Sequence, residues 1–420
     1  MVAFQLCLED LASKMWENHE DDLKPFGIKT VHIFNLVTGL WLPLTQFNNR
    51  IVSILIHVYE GFLVVFLASY IVVEIYTLTT TIDFEDAFDL IAIYSVVGII
   101  VFSSLCRSVY LLLFRKKLLA LFQNIRKLCN QRQVIHHKHE LINRVSKNFL
   151  KNTIFPAILL LILHLSSLIY YSSHLREEPF RLDGNATGET KSVFQKLREL
   201  GNKLEGTWMY YGWVFGMSSQ FIANMKLIAS DALLLGTVEV LGEQLSILES
   251  TLDLTLHHKD FLFKNFSFSI QGWIALQRKL IQLTEEANAF WSPIVVLTFT
   301  CNTVLLCLNA FTFVKTRSSS VSTIPIILLG YLVVNLMPTV IVCHAGHRFR
   351  RKGHAVSDAV RRCDWLRAPR ALVPGLSLVA ADCRDSFLLR GGPFFTVGLE
   401  FLVSVVGAVL TYLVVLLQFK

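Results

Sequence analysis

Ser404, Ala408, Thr411, Val415 and Gln418 recur at three- and four-residue steps inside an apolar run from Phe394 to Phe419. On a helix turning about 100° per residue they fall within about 80° of one another, a small or weakly polar stripe on an otherwise apolar rod. Lipid gains nothing from such a stripe. It suits a contact between helices, where Ser404 and Ala408 allow close approach, or the wall of a water path. Other polar side chains also interrupt apolar runs. A lone intramembrane histidine such as His164 is read as functional. Arg107 and Lys226 lie toward the ends of their runs and are expected to snorkel to the interface. Asp231, five residues past Lys226, is either its partner or the end of the lipid-facing stretch.

Nothing in the chain points to catalysis. It contains no phosphate-binding loop, no GxSxG elbow and no HExxH, so no catalytic residue and no cofactor is expected. His136, His137 and His139 surround Lys138 in a basic segment, where a solvated helix end explains them better than a metal. The eight cysteines show no zinc-ligand spacing with suitable partners, and none falls in an outer loop of the topology below. Neither a metal site nor an extracellular disulfide framework is expected.

The elements that would position these residues are transmembrane helices. Hydrophobic residues make up 53% of the chain and mean hydropathy is +0.51, with long apolar runs throughout. Seven runs are predicted to span: 51–78, 88–114, 154–173, 208–240, 293–314, 323–343 and 394–419. The shorter stretch 31–44, containing Asn35, Gly39 and Pro43, is predicted to be interfacial. The acidic N-terminal residues and late first apolar core lead to the expectation of no cleavable secretory signal. Of the Lys and Arg residues outside the spans, twenty-eight fall on the side of the N-terminus and nine on the other. By the positive-inside rule the N-terminus is cytoplasmic and the C-terminus extracellular. The net charge of +7 therefore reflects topology rather than nucleic-acid binding. A G-protein-coupled receptor, with its N-terminus outside, is excluded by the same count.

The expected organisation is an all-α membrane protein. Residues 1–50 form a cytoplasmic N-terminus with the interfacial helix, and 51–240 hold spans one to four with a basic cytoplasmic loop and a glycosylatable outer loop. Residues 241–292 form a cytoplasmic anchor segment, 293–343 spans five and six, 344–393 a second, basic anchor segment, and 394–420 the last span. In the anchor, Leu241, Leu245 and Leu248, then Trp273, Leu276, Leu280 and Leu283, recur at helical spacing and are predicted core positions, with a further helix near 371–389.

The segment Gly392 to Lys420, GPFFTVGLEFLVSVVGAVLTYLVVLLQFK, resembles the closing segment of the co-receptor of the insect odorant receptors. Gly39-Leu40-Trp41-Leu42-Pro43 and Cys363-Asp364-Trp365 are similar to further motifs of that family. Unlike the co-receptor, residues 241–292 carry no long insertion, so the chain looks like a ligand-tuned odorant receptor subunit. The resemblance implies a ligand-gated, non-selective cation channel in the plasma membrane, a heterotetramer with the odorant co-receptor. Each subunit would contribute its seventh span to a central pore, lined here by Thr411, Val415, Gln418 and Phe419. An apolar ring at Val415 and Phe419 would close it by dewetting.

The resemblance also implies a small volatile ligand bound among the outer halves of spans two to six, where the chain offers Tyr94, His164, Ser167, Tyr171, Tyr211, Trp213 and Tyr331. Tyr171 and Tyr211, near the ends of their spans, fit interfacial anchors better than pocket walls. Two other readings stay open. A gustatory receptor for a sugar or bitter compound is favoured by Thr411-Tyr412 followed by Gln418-Phe419. A transporter would need a repeat between halves, and none is evident.

The topology has a direct test. The sequon at Asn185 (Asn185-Ala186-Thr187) falls outside and that at Asn265 (Asn265-Phe266-Ser267) falls inside. Asn185→Gln should abolish the mobility shift produced by glycosidase treatment, and Asn265→Gln should leave it unchanged.

Overall fold

Lipid offers no hydrogen-bond partner for a backbone amide, so a chain this apolar must satisfy its backbone within helices. The computed structural model describes residues 50–81, 88–129, 153, 155–166, 206–257, 266–316, 323–362, 379, 382–383 and 385–418, and nearly all of them are helical. The helices are α1 (Arg50–Thr81), α2 (Phe88–Leu113), α3 (Arg115–Cys129), α4 (Phe155–Ser166), α5 (Gly206–His257), α6 (Phe266–Thr316), α7 (Thr323–Arg362) and α8 (Leu399–Gln418). Each of the seven apolar runs overlaps one of them, with α5, α6 and α7 running well past their apolar part, and α3 is the additional amphipathic helix. Among the described residues α1, α2, α5, α6 and α7 are long and apolar enough to cross a membrane, and α4 and α8 are shorter apolar helices. The interfacial stretch 31–44, the histidine cluster, the sequon at Asn185, Asn265 of the second sequon and the Cys-Asp-Trp motif lie outside the described residues.

Length decides the architecture. At about 1.5 Å per residue, the 52 residues of α5 and the 51 of α6 each reach over about 75 Å, more than twice a hydrocarbon core of about 30 Å. The surplus must pack outside the lipid, where apolar burial is rewarded. There Leu241, Leu245 and Leu248 of α5 meet Trp273, Leu276, Leu280 and Leu283 of α6 in one core, as their spacing predicts. The Trp273 indole donates to the Leu248 carbonyl at 2.9 Å, so the one polar atom of that ring is satisfied. The apolar face of α3, including Leu118, Ile125 and Leu128, closes the core. Val379, Cys383 and Phe387, four apart, add a further buried face from the expected helix near 371–389, most of which lies outside the described residues.

Charge sets the register of α5 against α7. Arg348 pairs with Glu239 at 3.1 Å and Lys352 with Glu243 at 2.6 Å, two rungs one turn apart. Partly exposed pairs of this kind contribute about 0.2–1 kcal/mol, so they align the helices more than they stabilise them. No disulfide involves the six cysteines described. In the anchor, burial pushes the Cys383 thiol up to about 11, and the Gln277 amide beside it lowers it only in part. That side chain is an uncharged core residue.

The start of the last helix differs from expectation. The apolar run beginning at Phe394 is not one helix, for β1 (Arg390–Gly391) and β2 (Phe395–Thr396) form an antiparallel hairpin before α8 begins at Leu399. The tight turn requires Gly392 at φ +61°, where a side chain would be strained, and Pro393 follows with no amide hydrogen for a helix. The hairpin is clamped to α6. Asn288 donates to the Leu388 carbonyl at 2.7 Å and accepts from the Arg390 amide at 3.1 Å, and Ser292, one turn on, accepts from the Gly392 amide. Phe395 stacks on Phe401 with centroids 4.0 Å apart, and Phe299 of α6 packs edge-on against both. The base of α8 is thus fixed to α6 before its membrane portion starts.

Leu245 is fully buried in the anchor, and Val65 is 67% exposed on α1. Leu245→Ala should cost about 2–5 kcal/mol and lower the melting temperature of the detergent-solubilised protein by several degrees. Val65→Ala should leave it within about 1 °C, because lipid and detergent tails solvate a valine as well as a neighbouring helix does.

Candidate functional site

Three places in the membrane portion carry polar groups whose position bears on function or assembly. The first is the outer surface of α8. This helix packs on its own subunit through Phe401, Leu402, Val405, Val409 and Leu413, which form one face, with Val405 alone fully buried. The large aliphatic residues Val403, Leu410 and Val414 lie exposed on a second sector. Ser404, Ala408, Thr411, Val415 and Gln418 form a third sector, about 120° from the packed face, and all five are exposed. The helix is therefore divided into a packed, an aliphatic and a small polar flank. Packing within the subunit does not use the small flank. The Ser404 hydroxyl donates to the Glu400 carbonyl at 3.2 Å and the Thr411 hydroxyl to the Gly407 carbonyl at 2.9 Å. Each hydroxyl spends its hydrogen within the helix and leaves oxygen lone pairs facing outward. Glu400, one turn before Ser404, lies on the same flank, its side chain 89% exposed and only loosely paired with Arg350 at 3.6 Å. Phe419 lies outside the described residues.

The second place is the contact of α4 with α5 and α7. His164 is 5% exposed, with its ring edge-on to Phe221 of α5 at 5.4 Å and to Tyr331 of α7 at 5.9 Å. Gly330 eases this contact. A Cβ there would come within 2.6 Å of a Leu163 methyl, so glycine lets α7 lie against α4 beside Tyr331 without displacing that side chain. His164 and Tyr331 are thus neighbours, as a shared pocket would require. Phe221 is the partner that sequence reasoning missed, because nothing distinguishes it among 31 phenylalanines. Tyr94 belongs to α2, and Tyr211 and Trp213 to the first turns of α5, with side chains outside the described set. Ser167, Tyr171 and Asn185 lie outside the described residues. A shallow groove of about 670 Å³ lined by Ile274, Ala275, Arg278, Lys279 and Gln282 occurs on the anchor end of α6. It is open and basic, unsuited to an apolar ligand.

The intramembrane charges are arranged differently from the snorkelling expected of them. Arg107 and Lys226 are each 2% exposed. Arg107 of α2 donates to Asp231 of α5 at 2.6 Å and to the Ser230 hydroxyl at 3.2 Å, and Lys226 donates to the Ser108 hydroxyl at a long 3.5 Å. The partner of Asp231 is therefore Arg107, not Lys226. Snorkelling is the solution for a charge with no partner at its own depth. Here oxygen atoms across the α2–α5 contact lie within hydrogen-bond reach, and a paired charge has less to gain from water.

Helices of membrane-crossing length, a helical anchor outside the lipid and a buried ion pair within it define an all-α, multi-pass membrane protein. The model of the 7tm Odorant receptor family matches residues 89–410, and the chain belongs to that family. It is accordingly a receptor and not an enzyme. A stretch of 152 residues is 27% identical to the odorant receptor coreceptor of Anopheles gambiae and 26% identical to that of Drosophila melanogaster, covering 36% of this chain. The match spans 31% of the length of those relatives. The fold is that of the insect olfactory receptor OR5 from Machilis hrabei, with a TM-score of 0.63 at 18% identity over 94% of this chain and 98% of that one. The structure of OR5 in complex with eugenol matches with a TM-score of 0.58 at 17% identity.

The buried pair can be tested by double substitution. Asp231→Ala alone strands the Arg107 charge and should cost about 3–5 kcal/mol, abolishing surface expression. Arg107→Leu combined with Asp231→Leu should recover much of that expression, measured by surface biotinylation.

Proposed function

We propose that the chain is the ligand-tuned subunit of an odorant-gated cation channel, assembled with the odorant receptor coreceptor as a heterotetramer in the plasma membrane. The observation that carries this reading is the flank of α8 bearing Ser404, Ala408, Thr411, Val415 and Gln418, which the subunit's own packing leaves uncovered. In a tetramer, four such flanks around one axis would make a narrow conduit. Hydroxyl oxygens whose hydrogens are spent on the helix backbone offer acceptors to a passing cation, and the Glu400 carboxylates would add negative potential at the conduit's inner mouth. Val415, with Phe419 four residues later in the chain, would supply an apolar ring that excludes water while the channel is shut.

Gating follows from what is fixed and what is free. The anchor core and the hairpin hold the base of α8, whereas its membrane portion touches its own subunit along one narrow face. A volatile compound lodged between α4, α5 and α7 beside His164 and Tyr331 opens the pore only by binding the open arrangement more tightly than the closed one. The weak identity to coreceptors and their partial coverage fit a relative that pairs with the coreceptor rather than replaces it.

Val415→Lys should reduce odour-evoked current at least tenfold or change ion preference while leaving surface expression intact, because it places a charge inside the constriction. The recording is a two-electrode clamp of cells expressing this chain with the coreceptor. Unchanged current and selectivity would remove α8 from the pore, and robust current without the coreceptor would make the receptor self-sufficient.

A further inference from the structure

The geometry around His164 points to the chemical class of the ligand, an inference that rests on the pocket proposed above. We infer that the pocket takes uncharged hydrogen-bond donors, alcohols and phenols, whose hydroxyl donates to His164 Nε2.

The argument begins with the other ring nitrogen. Nδ1 lies 3.0 Å from the carbonyl oxygen of Leu160, one turn earlier on α4. A carbonyl only accepts, so Nδ1 must carry a hydrogen. In the uncharged imidazole a hydrogen on Nδ1 leaves Nε2 bare, an acceptor with its lone pair in the plane of the ring. This nitrogen is buried and has no hydrogen-bond partner among the described residues. Turning the ring over would exchange Nδ1 for a carbon and break the bond to Leu160. Phe221 and Tyr331 face the ring edge-on and restrict its rotation.

A buried acceptor without a donor is costly in a protein interior and more so in lipid, so a ligand that supplies the donor is favoured over an isomer that cannot. Ethers, esters and ketones bring only lone pairs to a lone pair. Ammonium groups carry a donor but also a charge that this aromatic, lipid-embedded environment would have to desolvate. Alcohols and phenols remain: neutral, volatile, and equipped with one hydrogen to donate. Aromatic walls suit the rest of such a molecule through ordinary apolar contact.

The test uses isomeric pairs that differ only in whether oxygen carries hydrogen: n-octanol with heptyl methyl ether, and para-ethylphenol with para-methylanisole. They are applied to cells expressing the full chain with the coreceptor, and dose-response currents are recorded. The hydroxyl member of each pair should be more potent by roughly tenfold or more. His164→Phe, which keeps an aromatic ring and removes the acceptor, should shrink that gap to about twofold by weakening the hydroxyl member alone. A gap that persists in His164→Phe, equal potency in the unaltered receptor, or a panel in which no hydroxyl compound evokes current overturns the inference. If His164→Phe shifts both members of a pair equally, the pocket reading survives and the donor rule fails. If it shifts neither, the pocket itself lies elsewhere. Should the variant not reach the surface, nitrogen NMR of the purified, histidine-labelled receptor gives the answer directly. para-Ethylphenol should move one bare-nitrogen imidazole resonance that para-methylanisole leaves in place, and the absence of that difference overturns the inference.

Discussion

A bilayer removes the hydrophobic force that holds helices together in water, because a lipid tail solvates a leucine as well as another leucine does. Most of this architecture answers that one constraint. Long helices α5 and α6 leave the lipid and build their largest core where water makes burial worthwhile, with Leu245, Leu248, Trp273 and Leu280 at its centre. Within the membrane, cohesion depends on shape and on polar pairs. The Arg107–Asp231 bridge joins α2 to α5 where apolar contact alone would bind weakly, and the small aromatic cluster of Phe66, Tyr70 and Phe215 joins α1 to α5.

Stability is therefore unevenly distributed, and the proposed function uses the difference. The hairpin 390–396 transfers the rigidity of the anchor to the first turn of α8 through Asn288, Ser292 and the Phe299, Phe395 and Phe401 rings. Beyond that turn α8 contacts its subunit along a single stripe, with Val403 71% exposed on the other side. A helix held at one end and lightly held along its length can change its neighbours without unfolding. That is what a gate requires, and a helix as fully packed as the anchor portion of α5 would not supply it.

Polar atoms in the membrane differ in how fully they are matched. Each costs free energy unless matched, so their pairing distinguishes roles. Arg107 and Asp231 are matched to each other and serve structure. Ser404 and Thr411 are half-matched, hydrogens satisfied and oxygens outward, as suits a surface meeting cations. His164 is matched on one nitrogen only, and the remaining nitrogen has no partner among the described residues, the observation on which the proposed ligand class rests.

The amino-acid sequence by itself determined the number and place of the apolar runs, the helical character of the chain, the anchor core positions and the separate flank of α8. All of these depend on periodicity and length, which are local properties of a chain. The likeness of residues 392–420 to a family ending was legible for the same reason, as a run of side chains in fixed order. What only the tertiary structure decided are pairings between distant segments: Asp231 with Arg107 rather than Lys226, His164 between Phe221 and Tyr331, and the hairpin that delays α8 to Leu399. Lys226 stands nearer to Asp231 in the chain, and only the packing of α2 on α5 brings Arg107 within 2.6 Å. Partner choice depends on distances through space, which hydrophobic period does not encode, and on close approaches such as that at Gly330, whose meaning exists only when a second helix is there to use the gap.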